Sequence, residues 1–533
     1  MKKWSLLALS AALLAGCQTT PEPQQQAEQK RSTRKASPEL VSEQPQEPLA
    51  PILQPENIIE PPPVVELTPQ QEQDIWQRIR RQMTFTVPDN ERVTAQRNFY
   101  LKHPDYMNRV AERAAPFMHL IVEEIEKRGL PLELALLPIV ESAFDPFAYS
   151  HGRAAGVWQF IPGTARHYGL DINWWYDGRR DVYASTHAAL DYLTDLNKRF
   201  DNWLHALAAY NSGGGRVNSA IRKNARAGKP TDFWSLDLPR ETRAYVPKLL
   251  ALADILRHQD RYQVSWLPIE NQPYLTIVET ESQIDLALAA EKAGMELAQL
   301  HHYNSGYNRW ATDPAGPHRL LLPAENAEQL RAWLAVAEQK DLVRWTRHKV
   351  KSGESLIVIA KKYHTTTQAI QQANDLRGSL IRAGDYLLIP AASLDLDEYQ
   401  LSADQRLAST QSKSRGKTKI NHTIVSGDTF WDLSRKYNVN LRQLASWNGM
   451  APTDPLRPGK NLVVWLQQDE PAGITRNIHY RVRSGDSLAR IAQRFNVTIG
   501  DIEKWNQISR RNYLQPGQRL KLVVDVTRVS EDS

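Results

Sequence analysis

The C-terminal part of the chain repeats itself, and the repeat limits the possible folds more than any other feature. His348-Lys-Val-Lys-Ser-Gly353-Glu-Ser-Leu356 returns as His422-Thr-Ile-Val-Ser-Gly427-Asp-Thr-Phe430 and again as Tyr480-Arg-Val-Arg-Ser-Gly485-Asp-Ser-Leu488. Each opening leads into a basic amphipathic stretch: Ile359-Ala-Lys-Lys-Tyr363, Leu433-Ser-Arg-Lys-Tyr437 and Ile491-Ala-Gln-Arg-Phe495. A second helical pattern ends at an Asn (374, 448 or 506). Each unit then closes on a glycine and a strand-like run, Gly384-Asp-Tyr-Leu-Leu-Ile389, Gly459-Lys-Asn-Leu-Val-Val464 and Gly517-Gln-Arg-Leu-Lys-Leu522. The order predicted is strand, turn, helix, helix, strand, with Ser, Asp or Thr near the first helix N-terminus as its cap. The units occupy 346–391, 421–466 and 478–525. The Ser-, Gln- and Lys-rich stretch 392–420 reads as a flexible linker, so the units are expected as beads on a string, unlike a stacked solenoid.

These units resemble the LysM module, a small βααβ domain that binds N-acetylglucosamine-containing glycans. The first copy carries Arg382-Ala383 where the others carry Arg457-Pro458 and Gln515-Pro516, which puts its loop geometry in question. Upstream, Tyr274-Leu-Thr-Ile-Val-Glu279, Leu286–Ala293, Leu297–Tyr303, Asn304 and Arg319-Leu-Leu-Leu322-Pro323 follow the same order without the Ser-Gly-Asp opening. Residues 270–335 are therefore read as a degenerate fourth module; an unrelated small α+β segment is the alternative.

At 533 residues the chain exceeds what one hydrophobic core organises. Lys2-Lys3 followed by the apolar run Leu6–Leu14 has the form of an export signal over 1–16, too short to span a bilayer. Leu14-Ala15-Gly16-Cys17 resembles the bacterial lipoprotein box, which implies lipidation at Cys17 and a membrane anchor. By the same resemblance, Gln18 in place of Asp implies the outer membrane, with the protein facing the periplasm. Cys17 is the only cysteine, so an internal disulfide or a cysteine-built metal site is excluded. Residues 17–69, rich in Pro, Gln and Glu, read as a disordered tether, about 40 Å long as a flexible coil or roughly 150 Å as polyproline. The net charge of +6 and pI near 9.1 suit anionic wall peptides or lipid head groups; nucleic acid is not expected as a partner of an exported protein.

Residues 70–260 read as one mostly α domain. Trp76, Ile79 and Met83, and then Ala111, Ala114, Met118, Ile121, Val122 and Ile125, recur at helical spacing. Gly129 is placed to end that helix and Pro131 to begin the next. Further helices are expected around Val182–Asn197, Trp203–Tyr210 and Tyr245–Arg257. The apolar run Leu134-Ala-Leu-Leu-Pro-Ile-Val-Glu141-Ser142 is helix-like and ends on an acid. Breaking a glycosidic bond needs an acid to protonate the leaving oxygen, and apolar burial keeps a Glu protonated near neutral pH. On this run alone, Glu141 could equally be a solvated helix end.

Two further segments weigh for the acid: Gly156-Val-Trp-Gln-Phe-Ile-Pro-Gly-Thr-Ala165 and Ala209-Tyr-Asn-Ser-Gly-Gly214. With Glu141-Ser142 ahead of them and Glu241-Thr-Arg-Ala-Tyr245-Val246 after them, they resemble the lytic transglycosylases and goose-type lysozymes. The string Tyr176-Asp-Gly-Arg-Arg-Asp-Val182 and Phe233-Trp-Ser-Leu236 is similar to the membrane-bound D subgroup. Trp158 stands where many relatives have Met. The resemblance implies a lysozyme-like catalytic domain followed by LysM modules, and a reaction on peptidoglycan glycan strands. Glu141 would protonate the oxygen between N-acetylmuramic acid and N-acetylglucosamine. It would then take the proton of the sugar's own C6 hydroxyl as that oxygen attacks C1, leaving a 1,6-anhydro end without consuming water. Ser142, Gly156, Gln159, Tyr210, Asn211 and Tyr245 would bind substrate or orient the acid. A cap, a core position or a helix surface is the plainer role for each.

No cofactor and no metal are expected, since His151 and His205 lack ligand spacing; a monomer is expected. Two rivals stay open. One is a muramidase that hydrolyses the same bond with a second carboxylate, for which Asp145, Asp177 and Asp181 are candidates. The other is a non-catalytic lipoprotein that ties the outer membrane to the wall.

Overall fold

The computed structural model describes residues 67–466, 475–495, 497–509 and 514–525. The signal segment, Cys17 and the tether up to residue 66 lie outside them. The helical domain opens with α1 (Ile75–Arg81) and α2 (Glu91–Leu101), each started by a side-chain cap, Asp74 and Asn90. Next, α3 (Pro104–Lys127) begins on a proline, whose missing N–H costs nothing in a first turn. Its stripe from Met107 to Ile125 is buried, and Gly129 at φ +61° turns the chain out of it.

The run 134–142 is not one helix. A 3-10 turn (Leu132–Leu136) is followed by a separate short helix, α4 (Leu137–Ser142). Pro138 is the cause: it has no N–H to carry a helix through, but it fits the first turn of a new one. Beyond lie α5 (Pro162–His167), α6 (Val182–Phe200), α7 (Trp203–Ser212), α8 (Gly214–Arg226), α9 (Arg240–Arg257) and α10 (Gln259–Tyr262). Of these, α9 is buried nearly all round, with Tyr245, Val246, Leu249, Leu250, Leu252 and Leu256 inside. It is the central helix of the domain, packed on by α2, α4 and α7.

Residues 274–323 form β1 (Leu275–Glu279), α11 (Leu286–Lys292), α12 (Leu297–Tyr303) and β2 (Arg319–Pro323), with β1 and β2 antiparallel from Leu275↔Pro323 to Glu279↔Arg319. After α13 (Ala324–Leu334) the same plan recurs three times. The first copy is β3 (Arg344–Lys349), α14 (Leu356–Lys362), α15 (Thr367–Ala373) and β4 (Tyr386–Ala391). A further helix, α16 (Ala403–Ser412), precedes the second, β5 (Thr418–Thr423), α17 (Phe430–Lys436), α18 (Leu441–Trp447) and β6 (Asn461–Leu466). The third is β7 (Thr475–Arg481), α19 (Leu488–Arg494), α20 (Ile499–Asn506) and β8 (Arg519–Asp525). Every pair of strands is antiparallel.

The recurring Asn explains the plan. Asn304 donates to Leu300 O (2.9 Å) and Leu321 O (2.8 Å) and accepts from Leu321 N (2.8 Å). Asn374, Asn448 and Asn506 make the same three bonds within their own units, to Ile370 and Leu388, to Leu444 and Val463, and to Ile502 and Lys521. One amide thus ends the second helix and pins it to the closing strand, a satisfied polar staple in a small core. The first copy keeps the closing turn without proline: Gly384 sits at φ +97°, beside +81° at Gly459 and +92° at Gly517.

The stretch 392–420 is not a flexible spacer. Tyr399 is buried and its hydroxyl donates to both oxygens of Asp285 at 3.0 Å. α16 starts on a Ser402 cap and is held at Arg309 by Asp404 (2.7 Å). Nor are the first two copies loose beads. Trp310 Nε1 donates to His364 O (2.9 Å), joining the first copy to the 274–323 unit, and the second copy touches the helical domain. Buried aromatic partners from distant segments overcome the polar composition on which the spacer reading rested.

Candidate active site

Glu141 is the penultimate residue of α4. Directly after α4, Ala143 (φ 53°) and Phe144 (φ 56°) are both left-handed, a conformation that costs non-glycine residues roughly 1–3 kcal/mol each. Burial of Phe144 holds the turn. Stopping the helix there leaves Glu141 half-buried at a helix end, facing α9.

From α9, Tyr245 donates its hydroxyl to Glu141 Oε1 at 2.5 Å. Among the described residues this is the hydrogen bond made to the carboxyl, and Oε2 is left open. Burial lifts the carboxyl to about 7, and the Tyr245 bond pulls against that rise. Glu241 pushes the value up and Lys248 down. Glu241, Tyr245 and Lys248 stand four and three residues apart, hence on one face of α9. Sequence reasoning gave a role only to Tyr245, although this helical spacing was the available signal for the two charges.

Opposite lies the loop from Tyr149 to Phe160, tied by bridges Tyr149↔Ala155 and Ala155↔Phe160. Gly156 (φ +79°) does not itself offer a surface to a ligand: it is buried, and a Cβ there would lie 1.7 Å from Arg179 O. It is a glycine because two backbones meet there. Gln159, left-handed at φ 51°, folds its amide onto Gly156 O (2.8 Å) and is half-buried. Ser142 does not reach the acid. Its hydroxyl lies 3.0 Å from Val157 O and 3.3 Å from Pro138 O, which ties α4 to this loop. Trp158 is fully buried with Nε1 donating to Thr186 (2.9 Å).

Tyr210 donates to Trp158 O (2.9 Å), and its ring meets Tyr192 at 5.2 Å. Burial, then the nearby Glu141 charge, raises the Tyr210 hydroxyl far above its ordinary value, so it stays a donor. Tyr192 completes this aromatic wall and was not singled out from sequence. Asn211 accepts from Thr242 Oγ1 (2.8 Å), and its amide nitrogen has no partner among the described residues.

The three aspartates considered for a hydrolytic second carboxylate are committed elsewhere. Burial pushes Asp177 up, but the bidentate bond to Arg179 and the charge of Arg180 outweigh it and hold it low. Asp181 caps α6 and takes Tyr176 OH and Arg319 at 2.7 Å each. Asp145 accepts from Phe147 N (2.9 Å). Among the described residues no group of three or more His, Cys, Asp or Glu could hold a metal ion.

The site can therefore deliver one proton from a carboxyl poised near neutrality and receive one back, with amide and hydroxyl groups to either side. Comparison with known proteins identifies the domains. Residues 119–233 match the Transglycosylase SLT domain, and 348–390, 422–465 and 480–523 match the LysM domain. Residues 274–338 match the LysM-like domain of lytic transglycosylase MltD. The chain is 37% identical over 478 residues to membrane-bound lytic murein transglycosylase D of Escherichia coli strain K12, covering 88% of this chain and 99% of that protein. An autolysin of Enterococcus faecalis is 27% identical over 175 residues, 31% of this chain and 23% of its own. The 70 kDa soluble lytic transglycosylase of Escherichia coli aligns at 22% identity over 34% of each chain with a TM-score of 0.23.

Proposed function

Since the chain belongs to the family of membrane-bound lytic murein transglycosylase D, we propose that Glu141 is its single catalytic acid and base. The protein is a peptidoglycan lytic transglycosylase, with a lysozyme-like helical domain for cleavage and LysM modules for holding the glycan. The observation that carries the residue assignment is a half-buried Glu141 with a value near 7, one oxygen held by Tyr245 and the other left open. In the protonated state Glu141 donates to the oxygen between N-acetylmuramic acid and N-acetylglucosamine. The resulting carboxylate then accepts the proton of the C6 hydroxyl as that oxygen closes on C1. This nucleophile is already attached to the reacting sugar, an entropic advantage over a free water.

The Asn211 amide and Tyr210 support a role in seating the sugar, while Gly156, Gln159 and Ser142 support one in shaping the loop beside it. The family belongs to the cell envelope of Gram-negative bacteria. The lipoprotein box at Cys17 favours an outer-membrane anchor, and the protein is taken to act as a monomer. The test is mass spectrometry of glycan released from purified peptidoglycan by the protein and by Glu141→Gln. Ends one water lighter than reducing muramic acid and inert to borohydride, lost in the variant, are expected. Reducible ends, or unchanged release by the variant, would refute the assignment.

A further inference from the structure

The second LysM module is joined to the catalytic domain by contacts that the other two copies cannot make. Asp454, in the loop between α18 and β6, pairs with Arg153 Nε at 2.7 Å and accepts the Tyr149 hydroxyl at 3.0 and 3.2 Å. Tyr149 and Arg153 belong to the loop that runs into Gly156 and Gln159 beside the acid. That loop is itself stiff: Arg179 donates to Arg153 O (2.7 Å), and its guanidinium is locked on Asp177. Counting the same distance on from the recurring Asn gives Leu380 in the first module and Asn512 in the third. Only the second copy carries the carboxylate.

A second strut runs through α16. Ala403 N donates to Asn308 O (2.9 Å), fixing the helix start to the LysM-like unit. The Arg406 guanidinium lies 4.6 Å from the Phe147 ring, on the stretch between Glu141 and Tyr149. Gln411 donates to Asn448 Oδ1 (2.9 Å) inside the second module. The module is thus braced from both ends of one side, by a charged contact and by a packed helix.

We propose that the second LysM module is a docked extension of the catalytic groove, with Asp454 as the positioning residue that sets its register to Glu141. This rests on the glycan-cleaving reading above. A module on a free linker raises local substrate concentration at every orientation. A docked one presents a long strand at one distance and direction, so its benefit falls only on substrates long enough to reach it.

The test compares full-length protein with Asp454→Arg, Arg153→Asp and the double charge swap. Arg153→Asp alters the contact without touching the module's own fold. Each single variant is expected to enlarge the radius of gyration in small-angle scattering. Each should also lose roughly fivefold in release from intact peptidoglycan, while turnover of a soluble tetrasaccharide stays within about twofold. The swap should restore part of both compactness and polymer turnover, because an arginine at 454 cannot accept from Tyr149 or from Ala451 N as Asp454 does. Unchanged scattering, equal loss on both substrates, or a swap that recovers neither would overturn the docking. A wild type that yields no anhydro ends from either substrate would instead overturn the reading it rests on, a result the scattering comparison does not mimic.

Discussion

Removing the Tyr245 hydroxyl isolates the interaction that tunes the acid. In Tyr245→Phe the ring stays in the core and only the donor to Glu141 Oε1 is lost. A hydrogen bond to a charged group contributes about 1.5–3 kcal/mol. The neutral carboxyl can still accept it through its carbonyl oxygen, so about half of this distinguishes the two protonation states. At 1.36 kcal/mol per unit, Glu141 should rise by about one unit. Because the proposed reaction starts from the protonated form, kcat/KM should fall as pH rises through the free enzyme's value, near 7 in the wild type. The alkaline limb of the variant should therefore move upward by about one unit. Its plateau should also drop, because the carboxylate forming as the proton leaves has lost a donor. About 1 kcal/mol at the transition state is roughly fivefold in rate. The assay is release of anhydro ends from pH 4 to 9. A limb that stays in place or moves down would refute the claim that Tyr245 stabilises the charged form of Glu141.

The same carboxyl makes a stability prediction. Its folded value lies above the unfolded 4.5, so its contribution is intact below pH 4.5 and is lost as pH rises through 7. Glu141→Gln should match the wild type's stability near pH 4 and exceed it at pH 8 by about 2–3 kcal/mol after discounting for its open side, read as a higher melting temperature at pH 8 only; equal differences at both pH values would contradict this. Gly156→Ala forces a Cβ onto Arg179 O and should cost more than about 2 kcal/mol in thermal melts. Gly163→Ala, inside α5 with nothing within 4 Å of the new Cβ, should be neutral or stabilising by about 0.5–1 kcal/mol. Asn448→Ala removes three bonds in one module and should weaken it by about 3 kcal/mol. Hydrogen exchange should then rise in 418–466 and stay unchanged in 344–391.

What could be read from the sequence was whatever is encoded locally. The repeated strand–helix–helix–strand order, the cap before each first helix and the α3 stripe are periodic patterns, and the structure has them. Glu141 and Tyr245 were legible because each sits in a run whose neighbours are dictated by the same packing. Ser142 and Gly156 were assigned to the substrate because they belong to those runs, yet their neighbours are backbone carbonyls that only the folded chain brings near. The linker failed for a related reason. Tyr399 finds Asp285 more than a hundred residues away, and nothing in a polar stretch announces a partner at that separation. Asp454 was invisible in the same way, being one acid in a loop until the fold sets Arg153 beside it.

The two roles proposed for Glu141 pull its proton affinity in opposite directions, and the groups around it act in both directions. A higher value leaves more acid available for the leaving oxygen but makes proton donation less favourable. A lower value makes each donation more favourable but leaves less of the carboxyl protonated and weakens the base needed in the second half of the reaction. Burial alone would favour the first extreme. The Tyr245 hydroxyl opposes it directly, and Lys248 opposes it from the same face of α9, while Glu241 pushes back. In the proposed mechanism a carboxyl near 7 is the compromise by which one residue gives a proton and takes one back without a partner carboxylate. Asp177, Asp181 and Asp145, the candidates for such a partner, are bound to arginines, a helix start and a turn. The economy of the site thus lies in α9, whose buried side builds the core and whose one polar row sets the balance of the acid it faces.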